Sequence, residues 1–381
     1  MNKDLQIFFF RRSHLAISCF GGLLIIFNSL LPVRSGRADA PEQDGAGAKA
    51  IFFAADDPAI QYMGRIDLSN PKRPRFWAPG VSIRARFRGP SCRVVLRDEV
   101  LYGNSHNYIE IVVDQGKPYR VRMEHIQDTI DARGDPGSAD HIVTVCKDTE
   151  SGIGYLELAG LICDKLLPLP PLPSRKIEFI GNSITCGSGI DVSEIACDKG
   201  KWYDQHNAWL SYGPLTARAL NAQWHLSAVS GIGLIHSCCN MGITMPQVFD
   251  KTDQRDDTIA WDFTRYQPDV VTVSLGQNDG IWDSTVFCSA YIDFIRRIRR
   301  AYPGAQIVCL SSPMADSALT VILKKYLTGI AAYAKNYGDL KVHTYFYSRR
   351  YYHGCGGHPD MDEHLQIAAE LTGYIRGLMK W

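Results

Sequence analysis

The sequence predicts an all-β sandwich followed by an α/β domain whose parallel sheet is covered by helices on both faces. Three observations lead there. Short alternating segments with turn signals fill the stretch from about Ile51 to Asp164. A run with four prolines in nine residues, Leu166 to Ser174, interrupts the chain. After it, apolar strand patterns alternate with helical ones to the end.

The first forty residues read as targeting rather than fold. Arg11 and Arg12 precede an apolar run from Leu15 to Leu31, and Ala38-Asp39-Ala40 has the small residues of a signal-peptidase site. Pro41 is unfavourable just after such a cut. Residues 1–40 are therefore expected to be a signal peptide or, if uncleaved, an N-terminal anchor. Either way the expectation is an exported protein, periplasmic or extracellular, that meets a membrane only through this segment.

The sandwich is expected over residues 50–165. Ser82-Ile83-Arg84-Ala85-Arg86-Phe87-Arg88 alternates basic with apolar, which sends the arginines to one face. We read that basic stripe as the solvated side of an edge strand. Cys92 to Arg97, Tyr108 to Asp114, His141 to Cys146 and Tyr155 to Leu158 continue the series, with turns at Asp114–Lys117 and Arg133–Gly137. The proline-rich stretch 166–174 is taken as a stiff linker.

From 175 to 381 the period changes. Strands are expected at Ile177–Ile180, Gln223–Val229, Asp269–Leu275, Gln306–Leu310 and Lys341–Tyr347. Helices are expected at Asn207–Leu220, Ser284–Arg300, Ala318–Asn336 and Asp360–Leu378. In such sheets chemistry sits beyond the carboxyl ends of the strands.

Lys and Arg total 41 against 40 for Asp and Glu, so nothing in the overall charge favours nucleic acid. The 11 cysteines fix no pairing by their spacing. Cys309 falls in a buried strand pattern, and adjacency argues against a bond between Cys238 and Cys239.

Four sites fall at strand ends or at a helix start. Ser183, in Gly181-Asn182-Ser183-Ile184, follows the first strand of the α/β domain. Gly231, in Ser230-Gly231-Ile232-Gly233, follows the second, and its lack of a side chain suits close approach of a backbone N–H. Asn278, in Gly276-Gln277-Asn278-Asp279, follows the most apolar strand, where Asp279 could fix the loop. His358 precedes the closing helix. Singly, each is an ordinary turn, cap or structural histidine. Together they supply a hydroxyl, a base and convergent donors, which acyl transfer needs.

These blocks resemble those of the SGNH (GDSL-like) hydrolases. The resemblance covers about Lys176 to Lys380 and implies a flavodoxin-like domain. In it Ser183 is the nucleophile, His358 the base and then the acid, and Ser183 N–H, Gly231 N–H and the Asn278 side chain form the oxyanion hole. Upstream, Gln61-Tyr62-Met63-Gly64-Arg65, Pro74 to Gly80 and Asn107 to Asp114 resemble the jelly-roll of carbohydrate esterase family two. That family removes acetyl groups from xylan and glucomannan without a metal, so no cofactor is expected and the partner is an acetylated polysaccharide or oligosaccharide.

The pattern breaks before the base. SGNH enzymes commonly place an Asp two or three residues ahead of it, where this chain has Gly356 and Cys355. The Asp-Trp that often precedes the family-two histidine is Gly356-Gly357 here. We therefore expect a Ser-His dyad with a backbone carbonyl on the imidazole N–H. The same loop offers a rival zinc set, His353, Cys355, His358, Asp362 and His364, whose spacing fits no standard metal motif. Trp282, Tyr351 and Tyr352 are the candidates for holding sugar rings, with Trp202, Tyr203 and Trp209 as a further groove wall. The leading reading is a serine esterase that deacetylates plant polysaccharide. The alternatives are a carbohydrate-binding protein on a degenerate esterase scaffold, and an SGNH esterase for another ester.

Overall fold

The computed structural model describes residues 50–255 and 259–381. The expected signal or anchor at 1–40 lies outside the described residues. Among the described residues, no helix is long and apolar enough to cross a membrane.

The first part consists of eleven strands. They are β1 (Ile51–Ala54), β2 (Ile60–Met63), β3 (Arg75–Phe76), β4 (Ser82–Arg88), β5 (Ser91–Asp98) and β6 (Tyr108–Val113). β7 (Tyr119–Arg122), β8 (Gln127–Arg133), β9 (Asp140–Lys147), β10 (Leu156–Cys163) and β11 (Lys165–Leu167) complete the set. One sheet runs β1-β10-β5-β8 with β3 on β10, and the other β11-β4-β9-β6-β7 with β2 on β4. Every pairing is antiparallel. Alternation on β4 turns Ile83, Ala85 and Phe87 inward, where they meet Val94, Leu96, Ile109 and Val145 from the other strands.

The arginine stripe faces outward as the period requires, but β4 is not an edge. It lies between β9 on one side and β2 and β11 on the other. Asp140 of β9 holds both Arg86, at 3.1 Å, and Arg88, at 2.7 Å. An interior strand tolerates the stripe because its neighbour supplies a carboxylate. The proline-rich stretch also begins inside the sheet, since Leu166 and Leu167 pair with Phe87 and Arg86.

The second part is a parallel five-stranded sheet of β12 (Arg175–Gly181), β13 (Ala222–Ala228), β14 (Val270–Val273), β15 (Gln306–Leu310) and β16 (Val342–Tyr345), in the order β13-β12-β14-β15-β16. Its helices are α1 (Ser183–Cys186), α2 (Tyr212–Ala219), α3 (Met245–Val248), α4 (Ser284–Ala301), α5 (Ser317–Asn336) and α6 (Met361–Met379). Phe179 and Leu226 face Tyr212 of α2 and Leu371 of α6. Ile180, Val271 and Val273 face Phe287 and Tyr291 of α4 and Leu323 of α5. Both faces of the sheet are thus buried, as its uninterrupted apolar strands require.

One expected helix is shorter than read. Residues 207–211 are not helical, because buried Asn207 gives its amide to Glu110 at 3.0 Å and Asp191 at 2.9 Å. The helix starts at Tyr212, which puts Pro214 in its first turn, where a missing N–H costs nothing.

The two parts form one compact unit, Ala48–Trp381. Fully buried Arg65, from just after β2, donates to Glu178 of β12 at 2.7 Å and to the carbonyls of Phe249 and Lys251 at 2.6 and 2.8 Å. Arg120 of β7 donates to the carbonyl of Asp204 at 2.8 Å and to that of His206 at 2.5 Å. Charges this deep persist only because each has partners.

Candidate active site

Ser183 is the first residue of α1 and follows β12 directly. Asn182 caps the helix, its side chain accepting from Ile184 N at 3.2 Å. Gly181 is required by space, since a Cβ there would lie 2.0 Å from Thr185 Oγ1. The N–H groups of a helix's first turn lack intrahelical acceptors, so that of Ser183 is available to a ligand. His358 stands just ahead of α6, whose start is fixed by a reciprocal cap between Asp360 and Glu363.

Across 175 residues of sequence the two meet, with His358 Nε2 2.9 Å from Ser183 Oγ. His358 Nδ1 lies 3.1 Å from the carbonyl oxygen of Cys355. A carbonyl only accepts, so Nδ1 carries the proton and Nε2 is left to accept from the serine. Among the described residues no carboxylate is hydrogen-bonded to His358. Burial holds the imidazole below its ordinary pKa, with the Cys355 carbonyl pulling the other way. The base therefore stays neutral to lower pH than a free histidine. The acid limb of kcat/KM for p-nitrophenyl acetate is expected below the ordinary value of about 6.5. A pH-rate profile checks this, and a limb above that value contradicts it.

The donor side is held from several directions. Gly231 takes φ 81, a conformation that favours glycine. Asn278 Nδ2 donates to the Ile232 carbonyl at 2.8 Å, leaving its second hydrogen for a ligand. The Asp279 carboxylate accepts from the N–H groups of Leu234, Ile235 and His236 at 2.9, 2.7 and 3.1 Å. It ties the loop after β14 to the loop after β13.

One contributor was not visible in the sequence. Glu150, from the polar run that follows β9, accepts from Ser230 N at 2.7 Å, one residue before Gly231. Its carboxyl is buried, and burial raises its pKa while bonds from Cys186 and Ser230 lower it. Nothing in Asp148-Thr149-Glu150-Ser151 marks it from sequence, because its partner lies 80 residues away.

The aromatic candidates separate. Trp282 is 40% exposed, and its ring N–H donates to the Asp279 carbonyl at 2.6 Å, which sets it beside the Asn278 loop. Tyr352 is exposed and stacks on His353 at 4.7 Å. Tyr351 is a correction: it is 1% exposed, with its hydroxyl on Glu370 of α6 and its N–H on the Pro313 carbonyl. It braces the histidine loop and has no face to offer a sugar. Tyr203 and Trp209 are buried too, whereas Trp202 is exposed and meets His206 edge-on at 5.0 Å.

The proposed zinc set is dispersed. Cys355 is bonded to Cys197, His358 faces Ser183, and buried His364 accepts from Tyr212 N at 3.0 Å. His353 Nδ1 is 2.6 Å from Glu363. Cys238 and Cys239, against expectation, are joined to each other. Left-handed backbone at Cys239 and Asn240, φ 63 and 60, makes the tight turn that accompanies this. Cys309 is a buried free thiol in β15.

Residues 62–173 match the family model for the carbohydrate esterase 2 N-terminal region, and residues 179–361 that of the GDSL-like lipase/acylhydrolase family. The chain is 31% identical over 340 residues to an acetylxylan esterase/glucomannan deacetylase from Cellvibrio japonicus, covering 86% of this chain and 91% of that protein. A family two carbohydrate esterase from Clostridium thermocellum, solved in complex with cellohexaose, superposes with TM-score 0.77 at 30% identity over 84% of this chain and 99% of that one. One from Cellvibrio japonicus gives TM-score 0.79 at 29% identity over 87% and 99%.

Proposed function

The chain belongs to carbohydrate esterase family two, and on that premise we propose an exported enzyme that removes O-acetyl groups from plant polysaccharide, xylan or glucomannan, through Ser183 and His358. It is a carboxylic ester hydrolase, with a jelly-roll sandwich joined to an SGNH domain. The observation that carries the mechanism is the imidazole bridging Ser183 Oγ and the Cys355 carbonyl, at 2.9 and 3.1 Å.

In the proposed reaction Ser183 Oγ attacks the acetyl carbonyl as its proton passes to His358 Nε2. Negative charge gathers on the former carbonyl oxygen, within reach of the N–H groups of Ser183 and Gly231 and the Asn278 amide. Collapse expels the sugar oxygen, which takes the proton from His358, and leaves acetyl-Ser183. Water, deprotonated by His358, attacks that ester, and the second tetrahedral species releases acetate and restores the serine hydroxyl. Trp282 and Trp202, exposed at 40% and 58%, offer faces for sugar rings. The near balance of charge suits a neutral glycan. Deacetylating action is supported by the named activity of the Cellvibrio japonicus relative.

Two assays test the reading together. Turnover of p-nitrophenyl esters should be highest for acetate and fall through butyrate to longer chains. Acetylated glucomannan or xylan should release free acetate. Preference for long acyl chains, with no acetate from either glycan, would overturn it.

A further inference from the structure

The imidazole is oriented here by a carbonyl instead of a carboxylate, and that exchange raises the demand on geometry. A carboxylate can accept Nδ1–H through either of two oxygens and holds the imidazolium by charge. A carbonyl oxygen offers a weaker bond that fades as its angle opens. The Cys355 carbonyl must therefore be held still. Its own turn gives it one bond, from the His358 N–H at 3.2 Å, but the two residues between are Gly356 and Gly357, both left-handed at φ 61 and 73 and without side chains to pack, so the turn alone holds it weakly.

Two further anchors lie at Cys355 itself. Its N–H donates to the Gly189 carbonyl at 3.0 Å, and its sulfur is bonded to Cys197, 158 residues away. Gly189 packs so closely that a Cβ there would lie 2.5 Å from the Cys355 carbonyl oxygen. Cys197 sits in a loop that is itself tied down. Gln205 Nε2 donates to the carbonyls of Ile195, Ala196 and Lys199 at 3.3, 3.1 and 3.0 Å. The loop that follows the nucleophile is thus covalently joined to the turn that orients the base.

We infer that the Cys197–Cys355 disulfide is a positioning element of the dyad, fixing the carbonyl that takes the place of the missing acid. The inference rests on the serine-esterase reading. It separates two roles for the bond, since a purely stabilising link would alter melting without altering the folded enzyme's chemistry.

The test is Cys197→Ser, which leaves the Cys355 backbone intact. At a temperature where the variant is folded, kcat for p-nitrophenyl acetate is expected to fall between about 10- and 100-fold, the cost of a displaced catalytic group, with KM nearly unchanged. Adding Gly356→Asp should restore part of the loss, because a Cβ at that position lies 3.6 Å from His358 Nδ1 and aspartate is among the few residues that tolerate the left-handed φ of 61 found there. A lowered melting temperature with unchanged kcat would overturn the inference. A readout that needs no turnover is the His358 Nδ1–H proton resonance, in the variant or in the folded parent after mild reduction. Its loss supports the positioning role and its persistence contradicts it. Failure of the esterase reading would show differently, as an unmodified parent that cleaves no acetyl ester while keeping that resonance.

Discussion

Ser183→Ala is expected to abolish acetyl-ester hydrolysis, with a fall in kcat of roughly 10,000-fold or more and an unchanged fold. The serine is 8% exposed and its hydroxyl makes one catalytic contact, with His358. Removing one oxygen leaves a methyl group that α1 accommodates, because the local structure depends on Asn182 as cap and Gly181 as spacer. His358→Ala should cost a comparable factor. The double variant should lose little more than either single one, since hydroxyl and imidazole act as one device. Steady-state kinetics on p-nitrophenyl acetate decides this. Losses that multiply would mean the two residues act separately, against the 2.9 Å contact.

Asn278→Ala is expected to lower kcat by about 100- to 1,000-fold, the range for loss of one preorganised oxyanion donor. KM should change little, because the interaction strengthens only as charge develops. Asn278→Asp should be at least as damaging. A carboxylate cannot donate to the Ile232 carbonyl, which now accepts from the amide at 2.8 Å, and it would set negative charge against the oxyanion. The comparison separates oxyanion support from simple packing. If the Asp variant kept parental turnover, the amide would not be a donor in the transition state.

How far the sequence could be read depended on whether the cause was local. The parallel strands were legible because their apolar runs are buried on both faces, as in Val270–Val273. The proximity of Ser183 and His358 followed from placing each at its element's end, in a sheet that gathers such ends on one rim. The failures have a common source in long-range contacts. Asn207 looked helical, but its amide is claimed by Glu110 and Asp191. Tyr351 looked like a sugar platform, but Glu370 of α6 draws it inward. The stripe on β4 looked like an edge because no pattern within Ser82–Arg88 reports its neighbours. Cysteine spacing could not reveal Cys197–Cys355, since that bond depends on where two loops of the α/β part arrive.

Glu150 belongs to the sandwich side of the chain, yet its carboxylate holds the N–H of Ser230 beside Gly231. Recombination that exchanged the first part of the gene for another sandwich would carry over the nucleophile and base while removing the strut beneath their donor loop. Arg65 and Arg120, which also reach across, would be lost in the same exchange. The halves are therefore poor currency for domain shuffling, and selection acting on the activity must preserve them as one heritable piece.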